Sequence, residues 1–394
     1  MGGISLFIFK EGSRNAYNQT LSEEVFRKNY RTIFGIDVPH MDAVEDIFRV
    51  LKTDEYELLK IQLLSLLIEK KVFQKFKFLG KFHHIAIDAT GVCSFSEKHC
   101  DYCLTKTSKN GVVTYFHNVL EAKLITENGF SISLCSEWIS NSETNYDKQD
   151  SEHKAFNRLA IRLKSMFPRL AIVILADGLY PNNTFFEICR SNNWNYIVTF
   201  KDGNLKSVWE EINLLPNTAK GRFEKSIAKS KQMIYQNYSF LNGLEYQDFK
   251  VNWVECKEVI KDTKGDKISE NRFVFLSNMS ITTQNIVEVV CSGRLRWKIE
   301  NEGFNIQKNS NYQLQHKYSR VSYNAMQNWY NSLQIAVMIV DLTLLSDSFQ
   351  EIFKQKKQTV KHLWKCLWSL LNICYIDTSD IYNNYKRTQV RFGH

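Results

Sequence analysis

The sequence predicts an α/β protein: a mixed sheet with helices on its faces, interrupted by a β-rich stretch and carrying helical segments at both ends. Three observations lead there. Helical periodicity over residues 20–75 gives way at residue 83 to strand-like alternation. Helices and strands then alternate as far as residue 200. Beyond about residue 204 that alternation stops, residues 230–278 read as strands, and helices return from Ser280.

At 394 residues the chain is too long for one ordinary core, so two or three packed units are expected. A hydrophobic content of 44%, aromatics at 13% and only four prolines exclude a disordered chain. The net charge of +9, from 51 Lys+Arg against 42 Asp+Glu, favours an anionic partner, because cations clustered near phosphates release counterions. Charge alone does not choose among DNA, RNA and an acidic surface. Nine cysteines, an odd number and scattered apart from one cluster, argue against a disulfide framework and for a reducing cytosol. The apolar run Ile4 to Phe9 is too short for a secretory segment, and Leu6 breaks the myristoylation pattern. Leu333 to Leu345, the most apolar later segment, contains Asp341 and falls short of the roughly 18 residues needed to cross a bilayer, so no membrane span is expected.

Within residues 20–75, apolar steps of three and four recur in Ala43 to Leu51 and Leu58 to Leu67, and Asp42, after Pro39, is a candidate cap. Strands are expected at 83–90, at Val112 to Ile125, and at Phe130 to Ile139 after the Asn128-Gly129 turn, as an antiparallel meander. A helix from Lys148 to Met166 stops at Phe167-Pro168 and leads to a strand at 170–176. A helix at 184–193 leads to a strand from Tyr196 to Phe200. Further on, Lys250 to Glu255 and Arg272 to Leu276 are strands flanking a turn at Lys261 to Asp266, and an inserted β module is the simplest reading. Helices follow, including Met326 to Leu345 and a basic amphipathic run from Phe353 to Leu371. The resulting organisation is a helical region over 1–80, a core over 81–210 and 280–345, an insertion over 211–279, and a helical basic region over 346–394.

The chemistry-bearing residues lie at strand ends. Asp88 closes His83-His84-Ile85-Ala86-Ile87-Asp88, and Asp177 closes Leu170-Ala171-Ile172-Val173-Ile174-Leu175-Ala176-Asp177. Open α/β sheets bind ligands at that edge, and Gly91 and Gly178 permit close approach. Glu300, in the helix-like Arg296-Trp297-Lys298-Ile299-Glu300, adds a third acid. Carboxylates suit Mg2+ or Mn2+, and three acids sharing two ions make a clamp for phosphodiester chemistry. Taken singly, a strand-end aspartate is more often a turn residue or cap, and Glu300 a solvated ion-pair face; their joint order points to metal. Arg296 lies four residues before Glu300, and Lys308 about two turns after it. Glu302 is the rival third acid, roughly 200° around a helix from Glu300, and Glu300 is preferred for its spacing from Arg296.

On these motifs, Ile-Ala-Ile-Asp-Ala-Thr-Gly around Asp88, Leu-Ala-Asp-Gly-Leu-Tyr around Asp177, and Arg-Trp-Lys-Ile-Glu around Glu300, residues 30–345 resemble the DDE insertion-sequence transposases. The resemblance implies a ribonuclease H-like core, a β-rich insertion between the second and third acids, and catalysis by Asp88, Asp177 and Glu300 with two Mg2+ or Mn2+ ions. It implies cut-and-paste transposition on double-stranded DNA, involving terminal inverted repeats and target, by a prokaryotic cytoplasmic enzyme that works as a homodimer. It also gives Arg296, Lys298 and Lys308 as DNA contacts, with Tyr180 or Trp297 stacking on a displaced base, core packing being the alternative for Trp297. The family branch's signature has a tyrosine three residues before the arginine, where this chain has Gly293, and a lysine seven after the glutamate, where it has Gln307, with Lys308 one later. A metal-dependent nuclease of the same fold without strand transfer, or a DNA-binding protein that has lost catalysis, are the competing readings.

Two further signals stand apart. Cys93, His99, Cys100 and Cys103, with His117 beyond, form a soft-ligand cluster, and Cys100-Asp101-Tyr102-Cys103 has the knuckle spacing of structural zinc. Completing a tetrahedron would take Cys93 and His99, or His117; ordinary packing is the alternative. Lys354, Lys356, Lys357, Lys361 and Lys365, alongside Leu363, Trp364, Leu367 and Trp368, make a face that suits either DNA or solvent.

Overall fold

The computed structural model describes residues 1–141, 149–356, 359–379, 381 and 391–392. Five helices open the chain: α1 Gly2–Ile8, α2 Arg14–Thr20, α3 Glu24–Phe34, α4 Met41–Val50 and α5 Thr53–Glu69. The cap of α4 is His40, whose ring accepts the amide of Asp42; Asp42 itself sits in the first turn, where its charge favours the positive helix end. Four strands follow, β1 His83–Phe95, β2 Leu104–Thr107, β3 Val113–Ile125 and β4 Ser131–Ile139. The expected meander is β1, β3 and β4, with the short β2 added in the connection. Then come α6 Glu152–Met166, β5 Ile172–Ala176, α7 Asn183–Asn192, β6 Asn195–Thr199 and α8 Lys206–Leu214. Ser151 caps α6 by accepting the amide of Lys154, so this helix starts four residues later than expected, and Lys148 lies outside the described residues.

Residues 221–277 form β7 Gly221–Lys229, β8 Gln232–Tyr246, β9 Phe249–Asp262 and β10 Lys267–Ser277. Next are α9 Ile286–Leu295, a π-helical segment Ile299–Asn305, α10 Ile306–Asn309, α11 Tyr323–Leu344, α12 Asp347–Lys356 and α13 Val360–Ile373. Among the described residues no helix is long and apolar enough to cross a membrane.

The strands form one mixed sheet of ten, ordered β2-β3-β1-β5-β6-β10-β9-β8-β7, with β4 also on β3. Its central part, β4-β3-β1-β5-β6, has the strands in the order 3-2-1-4-5 by chain position, with β5 and β6 parallel to β1 and β3 antiparallel. This is a ribonuclease H-like sheet. The β-rich insertion is not a detached module: β10 pairs antiparallel with β6 through Phe275–Thr199, Leu276–Val198 and Ser277–Ile197, so β7 to β10 widen the core sheet.

Strand alternation sends Ile85 and Ile87 to one face and Ala86 to the other. The first face packs α5, α6, α7 and α8 through residues such as Leu64, Phe156, Phe186 and Val208. The second packs α9 and the π segment, where Ile286, Val290, Ile299 and Phe304 meet Ala86, Val173, Leu175 and Phe275. A further core joins the amino-terminal helices to α11 around Phe7, Phe48 and Trp329. On α13, Trp364 donates to the Ile8 carbonyl at 2.7 Å and Trp368 lies 5.4 Å from the Phe26 ring, so these two rings are packed while Leu367, Lys361 and Lys365 are exposed. Lys357 lies outside the described residues, as does the side chain of Lys356.

A buried ionic cluster ties α5 to β4. Lys60 is fully buried and donates to Glu57 Oε1 at 3.0 Å and Ser133 Oγ at 2.9 Å, while Arg162 of α6 pairs with Glu57 and with Glu137 at 3.1 Å. Removing one member leaves a buried charge unmatched. Lys60→Ala is therefore expected to cost about 3–5 kcal/mol in urea unfolding, with Lys60→Met, which keeps the packed stem, costing less.

Candidate active site

The register of β1 and β5 determines where the first two acids sit. Ile85 pairs with Ile174 and Ala86 with Leu175, so Asp88 and Asp177 each lie two residues beyond a matched pair. By strand alternation both carboxylates point to the face covered by α9 and the π segment. Asp88 Oδ1 accepts the Ala89 amide at 2.9 Å. Asp177 Oδ1 accepts the Leu179 amide at 2.8 Å, an Asx turn, and its Oδ2 is 3.8 Å from Lys201 Nζ.

Glu300 reaches this edge from the opposite layer. Arg296 Nη1 lies 3.5 Å from Asp88 Oδ2 and 3.7 Å from Glu300 Oε1, so one guanidinium bridges a strand acid and a helix acid. Asp88, Thr90, Gly91, Glu300, Asn305 and Lys308 line one cleft of about 300 Å³. A β-bulge in β1 between Gly91 and Cys93 borders it.

The π segment explains the displaced lysine. A π turn takes about one residue more than an α turn, so the position that follows Glu300 by two turns moves from 307 to 308. Gln307 accordingly points inward, fully buried and paired with Gln334 through bonds of 3.0 and 3.1 Å, while Lys308 lines the cleft. Gly293 has an equally local cause. A Cβ there would come within 2.6 Å of the Phe275 ring, so Phe275 occupies the space that a larger side chain at 293 would need.

Charge is crowded at this edge. Burial pushes the Asp88 carboxyl up to about 7, against the pull of Arg296, and Glu300 and Glu152 push it further the same way. Glu152, in the first turn of α6, is raised by burial, against its hydrogen bond from Tyr180, and also by Asp177. It belongs to the site although it carries no motif in the sequence; its nearness follows from where Ser151 starts α6. Two acids, Asp88 and Glu300, face one buried arginine, with the buried Thr90 Oγ1 lacking a hydrogen-bond partner in the cleft wall; these are hard-oxygen donors of the kind that suit a divalent cation such as Mg2+ or Mn2+.

Other expected residues lie elsewhere. Tyr180 is 1% exposed, donates its hydroxyl to Glu152 at 2.6 Å and packs 5.4 Å from Phe156, so it supports Glu152 and is not available to stack on a base. Lys298 pairs with Glu302 at 2.8 Å, on a different face from Glu300, which removes both from the cleft. Trp297 is 55% exposed, so it is not a core residue. Arg296 is itself buried against the acids, which makes it an organiser of Asp88 and Glu300 in this state. In the soft-ligand cluster, Cys93 turns away to contact Met326 Sδ at 3.3 Å, and His117 stands with His99, Cys100 and Cys103 in its place.

No protein-family model and no curated protein matches the chain. Among solved structures, the chain is similar to the piggyBac transposase in a cryo-EM synaptic complex with hairpin DNA, at 8% identity and a TM-score of 0.36. The match covers 77% of this chain and 54% of that one, so the chain spans about half the length of that protein.

Two outcomes are expected. Because Asp88 is raised in the folded state, its contribution to stability is greatest below about pH 4 and is lost as pH rises through about 7. In metal-free buffer at pH 8, Asp88→Asn should melt higher than the native chain, by at least about 1 kcal/mol. Gly293→Tyr should destabilise by about 1–3 kcal/mol in urea, and Phe275→Ala in the same chain should recover part of that loss.

Proposed function

We propose that the chain is a DNA transposase of the DDE insertion-sequence type, acting on the ends of its own element by phosphodiester hydrolysis and 3′-hydroxyl strand transfer. The observation that supports this best is the approach of Asp88 and Glu300, bridged by Arg296, in a cleft that Lys308 also lines, with Asp177 on the adjacent parallel strand two residues beyond the matched pair Ala86–Leu175. Two Mg2+ or Mn2+ ions held by these acids would activate the attacking oxygen and neutralise the leaving one.

The chain's own groups supply the rest. Lys308 offers a cation to a backbone phosphate, and its position in the cleft, near both Asp88 and Glu300, puts that phosphate beside the acids. Arg296 keeps Asp88 and Glu300 from repelling each other before DNA arrives. Glu152, held by the Tyr180 hydroxyl, adds negative charge behind Asp88 and Asp177 and increases their demand for cations. In the first step a water oxygen displaces the 3′ oxygen at the element's end, leaving a 3′ hydroxyl and a 5′ phosphate. In the second, that hydroxyl displaces a 3′ oxygen of target DNA. Joining two ends at one target calls for two copies of the chain, so the working complex is a homodimer on double-stranded DNA.

The test is excision and joining from a supercoiled plasmid bearing the gene with its flanking DNA, in Mg2+ or Mn2+. The native chain should produce joined product, and Asp88→Ala, Asp177→Ala and Glu300→Ala should each lower it at least about a thousandfold. Cutting without joining would replace strand transfer with simple nuclease activity, and binding without metal-dependent cutting would overturn the enzyme reading. Lys308→Ala should weaken binding by about tenfold at all sequences and reduce the salt dependence by about one ion.

A further inference from the structure

Above the acids, the connection from β1 through β2 to β3 gathers four soft donors. His99 and Cys100 come from the loop after β1, Cys103 from just before β2, and His117 from within β3. Their donor atoms all lie within 4.8 Å of one another. Cys100 Sγ is 3.8 Å from Cys103 Sγ, and His117 Nε2 is 3.5 Å from Cys100 Sγ and 3.3 Å from Cys103 Sγ.

These separations are the edges of a metal tetrahedron. With Zn–S near 2.3 Å and Zn–N near 2.0 Å, tetrahedral geometry places two sulfurs about 3.8 Å apart and a sulfur and a nitrogen about 3.5 Å apart. The local chain has the matching form: Cys100 to Cys103 make a turn, closed by the Cys103 amide on the Cys100 carbonyl at 3.4 Å. Both ring nitrogens of His99 are shielded from solvent with no close hydrogen-bond partner beyond the Arg320 main chain, in a ring held face to face with Phe95 at 4.3 Å. The Arg320 main chain lies beside that ring, placed as an outer partner for its second nitrogen.

We propose that His99, Cys100, Cys103 and His117 bind one structural Zn2+. A donor set of two sulfurs and two nitrogens, three at tetrahedral spacing and His99 within 4.8 Å of them, suits zinc over the hard cations expected at the acids. The four protein ligands fill the coordination sphere, so this ion holds structure and leaves chemistry to the other site. It fixes the β1–β3 hairpin at the far end of the strand that carries Asp88. It also holds that hairpin to the start of α11, where the Tyr323 ring stacks on Tyr102 at 4.6 Å and lies 5.0 Å from His117. The proposal does not depend on the reaction assigned to Asp88, Asp177 and Glu300.

The experiment is metal analysis of the full chain purified from zinc-supplemented cells, with release followed on adding an organomercurial, and with Co2+ exchanged for zinc. One zinc per chain is expected, released as the thiols react, and the Co2+ form should show the strong visible bands of a tetrahedral site with thiolate charge transfer. Cys103→Ser and His117→Ala should lose the metal, whereas Cys93→Ser and Asp88→Ala should keep one equivalent. If the two ligand variants fail to fold, the Co2+ spectrum of the native chain and metal retention by Cys93→Ser still decide. A native chain that holds no zinc, takes up no Co2+ in tetrahedral form and exposes both thiols to immediate reaction would overturn the proposal. So would undiminished zinc in folded Cys103→Ser or His117→Ala.

Discussion

Like charges held together by a fixed β-sheet register are the constraint on which this molecule turns. The pairing of β1 with β5 ends at Ala86–Leu175, so it delivers Asp88 and Asp177 two residues beyond a matched pair of strands buried on both faces. Glu152 and Glu300 approach the same edge from two other elements. Left to stability alone, such a group of acids would be dispersed. Here burial raises the Asp88 carboxyl to about 7, with Glu300 and Glu152 adding to it and the bridging guanidinium of Arg296 opposing it. Stability given up at one edge of an otherwise well-packed sheet is the pattern expected where a fold carries function.

The surrounding structure serves to hold that edge. On one side α9 and the π segment are fastened to the sheet by Ile286, Val290, Ile299 and Phe304, which fixes the direction from which Glu300 and Arg296 approach. His84 Nε2 and Ser292 Oγ, 2.8 Å apart, join β1 to α9 through a polar contact inside this layer. The insertion strands contribute too, because β10 carries Phe275, and its ring sets the space available beside Gly293. At the far end of β1, the His and Cys cluster and the Tyr102–Tyr323 stack fasten the hairpin to α11. Strand β1 is thus restrained at both ends, with Asp88 between them.

Much of this was legible in the sequence, and what was not has identifiable causes. The apolar runs before Asp88 and Asp177 mark strands buried on both faces, but β1 continues past Asp88 to Phe95, so Asp88 lies within its strand and only Asp177 directly follows one. The approach of Glu300 to Asp88, through Arg296, is in keeping with the element order. The register shift that brings Lys308 into the cleft was hidden, since a π turn leaves no residue pattern and shows only in hydrogen bonding. Tyr180 was misread because an aromatic next to a catalytic-type aspartate looks the same whether it faces solvent or, as here, fills a core of Phe156 and Phe185. Glu152 was missed because it belongs to no motif, and only the folded position of α6 brings it near. In the soft-ligand cluster, sequence proximity favoured Cys93, but the β1–β3 pairing sets it opposite His117 while its thiol turns into the core beside Met326.

The most direct measurement is Mn2+ binding to the DNA-free chain by electron paramagnetic resonance, on the native protein and on Asp88→Ala, Asp177→Ala and Glu300→Ala, each checked for folding by circular dichroism. Carboxylates gathered as described should hold two Mn2+ ions close enough for their spins to couple, and each substitution should abolish the coupled signal while leaving the fold intact. Uncoupled, weakly held Mn2+ of the same affinity in all four proteins would show that these acids do not form one metal centre, and the catalytic reading would fall with it.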